Sequence, residues 1–143
     1  MKIKLIDFGT EYKPERKHYN DAGADVRAFF RDERKVEGIR PHETKRIALG
    51  FGLEILDGYM ALLLPRSSFA SKGITCETPP IDSGYRGEIC ALITNNTDDY
   101  VVIQKGERIA QLVIVPVVIA DFVIGDELGN ERGTGGFGST GVN

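Results

Sequence analysis

An all-β domain, built as a β-sandwich or a jelly-roll-like barrel, is the fold class this sequence predicts. Three observations predict it. Short segments rich in Val, Ile, Leu and Phe recur along the chain, turn signals containing Gly, Asn or Asp separate them, and only one stretch carries helix start and stop signals. The chain has 143 residues, the size of one domain, and such a chain can bury a core without disulfide or metal staples.

The elements follow in order. Lys2–Ile6 alternates polar and apolar residues and predicts a first strand. Ala22–Val26 reads as a turn leading into a strand. Ile47–Ile55 and Tyr59–Leu64 predict a pair of strands with Asp57-Gly58, a hairpin-turn signal, between them. Ser67–Lys72 follows Pro65-Arg66 and stops at Gly73, which suits a helix of one or two turns capped by Ser67. Glu88–Thr94 reads as a strand, Asn95–Asp99 as a polar turn and Tyr100–Gln104 as the return strand. Arg108–Val118 is a long strand, and Pro116 within it implies an edge, a bulge or a change of sheet. After Phe122 the composition changes. Residues 125–143 hold seven glycines and few core-forming side chains, so burial within the segment cannot offset the entropy of ordering it. The expected organisation is a β-barrel domain over residues 1–124 and a flexible Gly-rich C-terminal tail over residues 125–143.

Composition narrows the function classes. Hydrophobic residues at 41% and charged residues at 27% describe an ordinary globular protein, and a net charge of −3 argues against nucleic-acid or anionic-membrane binding, which favours basic surfaces. Cys76 and Cys90 stand fourteen residues apart with no CxxC spacing, so nothing marks a secreted disulfide scaffold or a zinc site. No apolar run reaches the length of a membrane span and the start lacks a signal-peptide core, so a cytoplasmic location is expected.

Five segments could carry chemistry. In Ala22-Gly23-Ala24-Asp25-Val26, Asp25 is a carboxylate among small residues that could hold a magnesium-bound water, since magnesium prefers carboxylate oxygens and retained waters. In Pro65-Arg66-Ser67-Ser68-Phe69-Ala70, the free N–H groups at a helix start, the Arg66 fork and the hydroxyls of Ser67 and Ser68 form a phosphate-binding set. In Ile81-Asp82-Ser83-Gly84-Tyr85-Arg86-Gly87-Glu88, Asp82 is an ionised carboxylate at a loop-to-strand junction, suited to accept a proton from water, and Tyr85 offers a flat face to a sugar. In Lys105-Gly106-Glu107-Arg108-Ile109-Ala110-Gln111-Leu112, Gln111 could donate to a phosphate oxygen. Taken alone, each of these four is an ordinary turn, cap or strand residue. The fifth, Glu131–Gly141, is the most specific: glycines let backbone N–H groups converge on phosphate oxygens, with Arg132, Ser139 and Thr140 as further donors. Phe137 lies in that tract with no local core to enter, and stacking on a base would be worth ~1–3 kcal/mol.

In this order, the five segments resemble the five motifs of the trimeric deoxyuridine triphosphatases (dUTPases), and the match runs from about residue 22 to the C-terminus. The resemblance implies a jelly-roll-like β-barrel with one short helix and a flexible C-terminal tail, assembled as a homotrimer with three shared active sites. It implies hydrolysis of dUTP to dUMP and pyrophosphate with Mg2+ on the triphosphate. Such an activity limits uracil incorporation into DNA and supplies dUMP for thymidylate synthesis. Carried over by position, Asp82 activates the water that attacks the α-phosphorus, Tyr85 packs under the deoxyribose, and Asp25 orients magnesium-bound water. Arg66, Ser67, Ser68 and Gln111 hold phosphate oxygens. Arg132, Gly138, Ser139 and Thr140 grip the γ end, Phe137 stacks on uracil, and groups around Pro80, Ile81 and Cys90 read the uracil edge. Thr75–Pro80 departs from the family pattern: Pro79 and Pro80 supply no N–H, and Cys76 stands where many members have an amide.

Two other functions remain. The dCTP deaminases share the fold, a Pro-Arg-Ser-Ser-like segment and an Ile-Asp turn, and would need Glu88 as the water-activating group. Some phage and bacterial dUTPases also bind repressor proteins, for which Phe29–Gly38 would be the partner surface if it is not simply a solvated loop.

Overall fold

The computed structural model describes residues 1–126, together with Gly129, Gly133, Gly136 and Gly141. In chain order the elements are β1 (Lys4–Asp7), β2 (Ala24–Arg27), β3 (Val36–Ile39), β4 (Thr44–Ala48), β5 (Phe51–Glu54), β6 (Tyr59–Pro65), α1 (Ser67–Ala70), β7 (Ile74–Cys76), β8 (Cys90–Asn95), β9 (Val101–Gln104) and β10 (Arg108–Pro116). Strands pair antiparallel as β1–β5, β2–β10–β6, β3–β9 and β4–β8–β7. Nearly every pair joins strands far apart in sequence, the hallmark of a jelly roll, so the all-β expectation with one short helix holds.

Alternation builds the core. In β8, Ala91, Ile93 and Asn95 point inward while Cys90, Leu92 and Thr94 face out. The inward set meets Val26, Phe51, Leu63, Ile103 and Ile109 in one cluster. Asn95 is the buried polar residue among those described, and all its groups are used. Its amide donates to Ile39 O (3.1 Å) and Asp99 O (2.7 Å), and its Oδ1 accepts from the Thr97 N–H (3.0 Å) and hydroxyl (2.7 Å). It therefore ties the corner between β8 and β9.

Several local expectations change. The single strand expected over Ile47–Ile55 is two, β4 and β5, in different sheets. The break falls at Gly50, whose φ of +76° needs glycine, and a Cβ there would lie 2.8 Å from the Phe29 ring and Thr10. Asp57-Gly58 is a turn, with Tyr59 N–H on Leu56 O at 3.1 Å, but β5 and β6 do not pair: β5 runs beside β1 and β6 beside β10. Likewise β9 returns along β3 and not along β8. The charged stretch after Phe29 contains strand β3, and both Phe29 and Phe30 are buried. The cap of α1 is Arg66, not Ser67, and no side chain bonds the helix start. Gly73, at φ +79°, stops the turn as expected. Pro116 sits where β10 has run past the end of β2 and pairs only with Tyr59 of β6, an edge position.

Beyond β10 the chain leaves the barrel. Val118, Ile119, Phe122, Val123 and Ile124 are 82–101% exposed, a run of large apolar side chains with no seat among the described residues.

Candidate active site

Asp25, Arg66, Ser67 and Gln111 come together on the wall of a polar cavity of about 540 Å³. Strand pairing brings them there. Gln111 of β10 stands opposite Asp25 of β2 on one side and Leu64 of β6 on the other, and Arg66 follows directly from the end of β6. Gly23 lets the β2 approach pass close to Gln111: a Cβ there would lie 3.0 Å from the Gln111 Cβ. The Asp25 carboxylate, 14% exposed, is bracketed by cations. Arg66 Nε lies 3.3 Å from its Oδ1 and Arg108 Nη1 lies 3.1 Å from its Oδ2, with Gln111 Nε2 at 3.5 Å from Oδ1. Asp25 thus holds two guanidinium forks and an amide in place on a wall they share. Ser68 is exposed beside this cavity and does not line it; its carbonyl accepts the Ser71 hydroxyl at 3.3 Å.

Arg108 is a residue that sequence reasoning missed, and the reason is a bulge. Simple alternation along β10 puts residues 108 and 111 on opposite faces. The β2–β10 register shifts between Arg108 and Ala110, so Ile109 and Ala110 are both buried and Arg108 swings onto the face of Gln111. The basic residue directly after the Gly106 turn was the available signal.

Asp82, Tyr85, Pro80, Ile81 and Cys90 line a second cavity of about 370 Å³. Ile81 anchors the loop: its N–H donates to Ala61 O at 2.9 Å and its carbonyl accepts the Ala61 N–H at 3.0 Å. With both backbone groups engaged and its side chain buried, Ile81 supplies wall, not hydrogen bonds. A turn follows, with the Tyr85 N–H on Asp82 O at 3.1 Å, and it leaves the Asp82 side chain exposed. Among the described residues the Asp82 carboxylate accepts no hydrogen bond, so its lone pairs are open to water. The Tyr85 hydroxyl donates to Glu88 O at 2.9 Å, and its ring lies on Gly87, where a Cβ would come within 2.4 Å of the hydroxyl. The ring is 46% exposed.

Cys90 is placed by the ladder. The Leu49 N–H donates to Ile89 O and the Glu77 N–H to Leu92 O, both at 3.1 Å. Odd residues of this strand therefore bond β4, and even ones turn their backbone groups toward β7. Continuing the β7–β8 register from Cys76↔Ile93 sets Cys90 opposite Pro79, which has no N–H to give. The prolines end the ladder and leave the Cys90 backbone edge facing the cavity. Burial pushes the thiols of Cys76 and Cys90 above their ordinary range, so both are neutral at pH 7. Cys76 belongs to the core.

Glu88 also borders this cavity, but both its oxygens are taken: Oε1 accepts the Gly50 N–H at 2.9 Å and Oε2 pairs with Arg31 at 2.8 Å. It braces the β4–β5 corner.

The two cavities share no lining residue. One chain brings the phosphate-type groups together and the Asp82–Tyr85 group together, but does not join the two sets. Arg132, Phe137, Gly138, Ser139 and Thr140 lie outside the described residues. Among the described residues no cluster of three or more His, Cys, Asp or Glu side chains could cage a metal, and no helix is long and apolar enough to cross a membrane.

The dUTPase family model matches residues 12–141. A deoxyuridine 5'-triphosphate nucleotidohydrolase of Maricaulis maris is 42% identical over 147 aligned positions, covering 99% of this chain and 96% of the relative. The structure is similar to that of a Staphylococcus bacteriophage 80alpha dUTPase carrying dUpNHpp, with 30% identity, a TM-score of 0.85 and 99% of both chains covered. That phage enzyme is described as controlling transfer of virulence genes by a G protein-like mechanism. A mutant dUTPase from phage phi11 of S. aureus that coordinates a structural Mg(II) ion is 26% identical, with a TM-score of 0.79 over 91% of this chain and all of that one.

Proposed function

The chain belongs to the dUTPase family, and on that premise we propose that it hydrolyses dUTP to dUMP and pyrophosphate with Asp82 as the base that activates water. The observation that carries this reading is the exposed Asp82 carboxylate, unbonded among the described residues, in a turn that also presents the Tyr85 ring. Asp82 takes a proton as a water oxygen bonds to the α-phosphorus, and pyrophosphate departs with the electrons of the cleaved P–O bond. Tyr85, held by Glu88 O and seated on Gly87, packs under the deoxyribose, where a 2′-hydroxyl would meet the ring. The Cys90 backbone edge, with Pro80 and Ile81 as apolar wall, receives uracil. Arg66, Ser67 and Gln111 bind phosphate oxygens, and Ser68, at the lip, joins them once the nucleotide is bound. Phosphoryl transfer of this kind is mainly positioning and charge neutralisation.

Magnesium fits the donor set around Asp25. The described residues form no metal cage, and a single carboxylate among phosphate-binding cations suits an ion that arrives on the triphosphate and keeps its waters. Bound there, the ion would neutralise the triphosphate and polarise its oxygens. Asp25 would accept hydrogen bonds from the waters while Arg66 and Arg108 turn to phosphate.

The assembly that fits is a homotrimer with shared sites. It would join the Asp82–Tyr85 cavity of one chain to the Asp25–Arg66 cavity of a second. Residues 125–143 of a third would close over the nucleotide through Arg132, Phe137, Gly138, Ser139 and Thr140. The exposed apolar run from Val118 to Ile124 supports association of copies. A cytoplasmic location belongs to the same reading.

Asp82→Asn tests it. The variant should bind dUpNHpp like the parent and lose about 10³-fold in kcat, the scale of general-base catalysis. Parent-level turnover would remove Asp82 from the role. The likeness to the phage 80alpha enzyme favours a second reading, in which the chain also binds a regulatory protein. Its surface would be the exposed charged strip Asp32–Lys35, since Phe29 and Phe30 are buried. Charge reversal there should abolish partner binding and leave turnover intact.

A further inference from the structure

We propose that Lys17 and His18 form a second polyphosphate-binding lip, which recognises the terminal phosphates of the nucleotide from the N-terminal loop. The loop is built to hold the backbone that carries these two side chains. Glu15 bridges Asp25 through two backbone hydrogen bonds, Glu15 N–H to Asp25 O at 3.1 Å and Asp25 N–H to Glu15 O at 2.7 Å. At the far end Asp21 closes a turn: its Oδ2 accepts the His18 N–H at 2.8 Å, its N–H donates to His18 O at 3.1 Å, and its carbonyl accepts Arg16 Nε at 2.8 Å. The backbone on both sides of Lys17 and His18 is thus fixed against the strand that carries Asp25.

The two side chains themselves are unspent. Both line the 540 Å³ cavity, and neither makes a side-chain hydrogen bond or ion pair among the described residues. Lys17 also borders an adjoining depression of about 130 Å³ with Arg16, Arg27 and Arg108. By contrast Arg66 and Arg108 already share the Asp25 carboxylate, and Asp21 gives one oxygen, Oδ2, to the His18 N–H. Glu15 and the other Asp21 oxygen are the acid groups on the lip that compete for Lys17. A bound polyphosphate brings more negative charge than the Asp25-paired arginines neutralise. An ammonium with three donors on a flexible stem suits the terminal phosphoryl group, where charge density is highest and geometry least fixed. His18 adds a ring N–H donor beside it. The lip would therefore discriminate by chain length, favouring triphosphate over diphosphate and monophosphate, and would hold pyrophosphate after cleavage.

This inference rests on the reading of the cavity as the triphosphate seat, and the experiment separates the two. Steady-state kinetics with dUTP and inhibition by inorganic tripolyphosphate are measured for the full chain and for Lys17→Gln, His18→Gln, Lys17→Arg and, as reference, Arg66→Ala. Lys17→Gln should raise KM for dUTP and the tripolyphosphate inhibition constant about tenfold, while kcat stays within about twofold and dUMP binding is unchanged, the signature of lost uniform binding. Lys17→Arg should restore most of the loss, and His18→Gln should show a smaller effect of the same kind. Unchanged KM and inhibition in both Gln variants would overturn the lip, and so would a parallel loss of dUMP affinity, which indicates a structural role. If Arg66→Ala also left tripolyphosphate inhibition unchanged, the fault would lie with the reading of the cavity itself.

Discussion

Asp82 and Glu88 stand six residues apart on the wall of one cavity, and their surroundings give them different work. Asp82 projects from a turn with no donor on its oxygens among the described residues, while Glu88 spends one oxygen on the Gly50 N–H and the other on Arg31. A carboxylate pinned at one oxygen by a backbone N–H and at the other by an arginine is held as part of the corner, which weighs against the water-activating role that a dCTP deaminase reading requires. Glu88→Gln is the discriminating change. The amide oxygen still accepts the Gly50 N–H, but the amide nitrogen then faces Arg31 where a mostly buried carboxylate stood, so stability should fall by about 1–3 kcal/mol. Turnover of dUTP should stay within about threefold of the parent, because the substitution leaves transition-state contacts in place. Incubation with dCTP should release no ammonia from either protein. Loss of dUTP hydrolysis with an intact fold would return Glu88 to the chemistry.

Corners, more than strands, position the site. Gly50 turns the chain from the β4–β8–β7 sheet to the β1–β5 pair, and its N–H is the group that Glu88 holds. Gly50→Ala adds a Cβ 2.8 Å from the Phe29 ring and Thr10 at a φ of +76°. Left-handed strain and overpacking together should cost at least ~2 kcal/mol, read as a lower urea midpoint at fixed protein concentration. An unchanged midpoint would mean that the corner can relax. The same corner shows what the sequence could and could not disclose. Features set within a few residues were legible: the Asp57-Gly58 turn, the Gly73 stop and the Asp82–Tyr85 turn, while Pro116 marked an irregular position that only the β10 pairing resolves as an edge. Pairing partners were not, because in this topology β5 leaves its sequence neighbour β6 for β1, and β9 leaves β8 for β3. Strand β3 hid among charges because its pattern is inverted: Val36 is half-exposed, while Glu37 lies on the same side of the strand as Ile39 and is held by Arg34 and Lys45. Arg108 hid because one bulged residue reverses the alternation on which face assignment depends.

At the scale of the whole molecule, the separation of the two cavities is the feature with most leverage. The motifs were legible as a set, yet nothing in their spacing says that one chain keeps Asp82 and Arg66 on different walls. If each site joins the Asp82 wall of one chain to the Arg66 wall of another, two inactive variants can repair each other. In the homotrimer proposed above, Asp82→Asn and Arg66→Ala copies should each be nearly inactive alone, for want of the base or of the phosphate clamp. In trimers assembled from an equal mixture, a site works when its Asp82 comes from an Arg66→Ala chain and its Arg66 from an Asp82→Asn chain. Random assembly gives that pairing in about one site in four, so coexpression or joint refolding should recover about a quarter of parent activity. A site contained within one chain cannot be repaired in this way, and mixtures would stay at the level of the separate variants. Sedimentation of the mixed sample, run beside the assay, shows whether the copies have exchanged. Inactive mixed trimers would refute the shared site, whereas recovered turnover would require that Asp82 and Arg66 act from different chains.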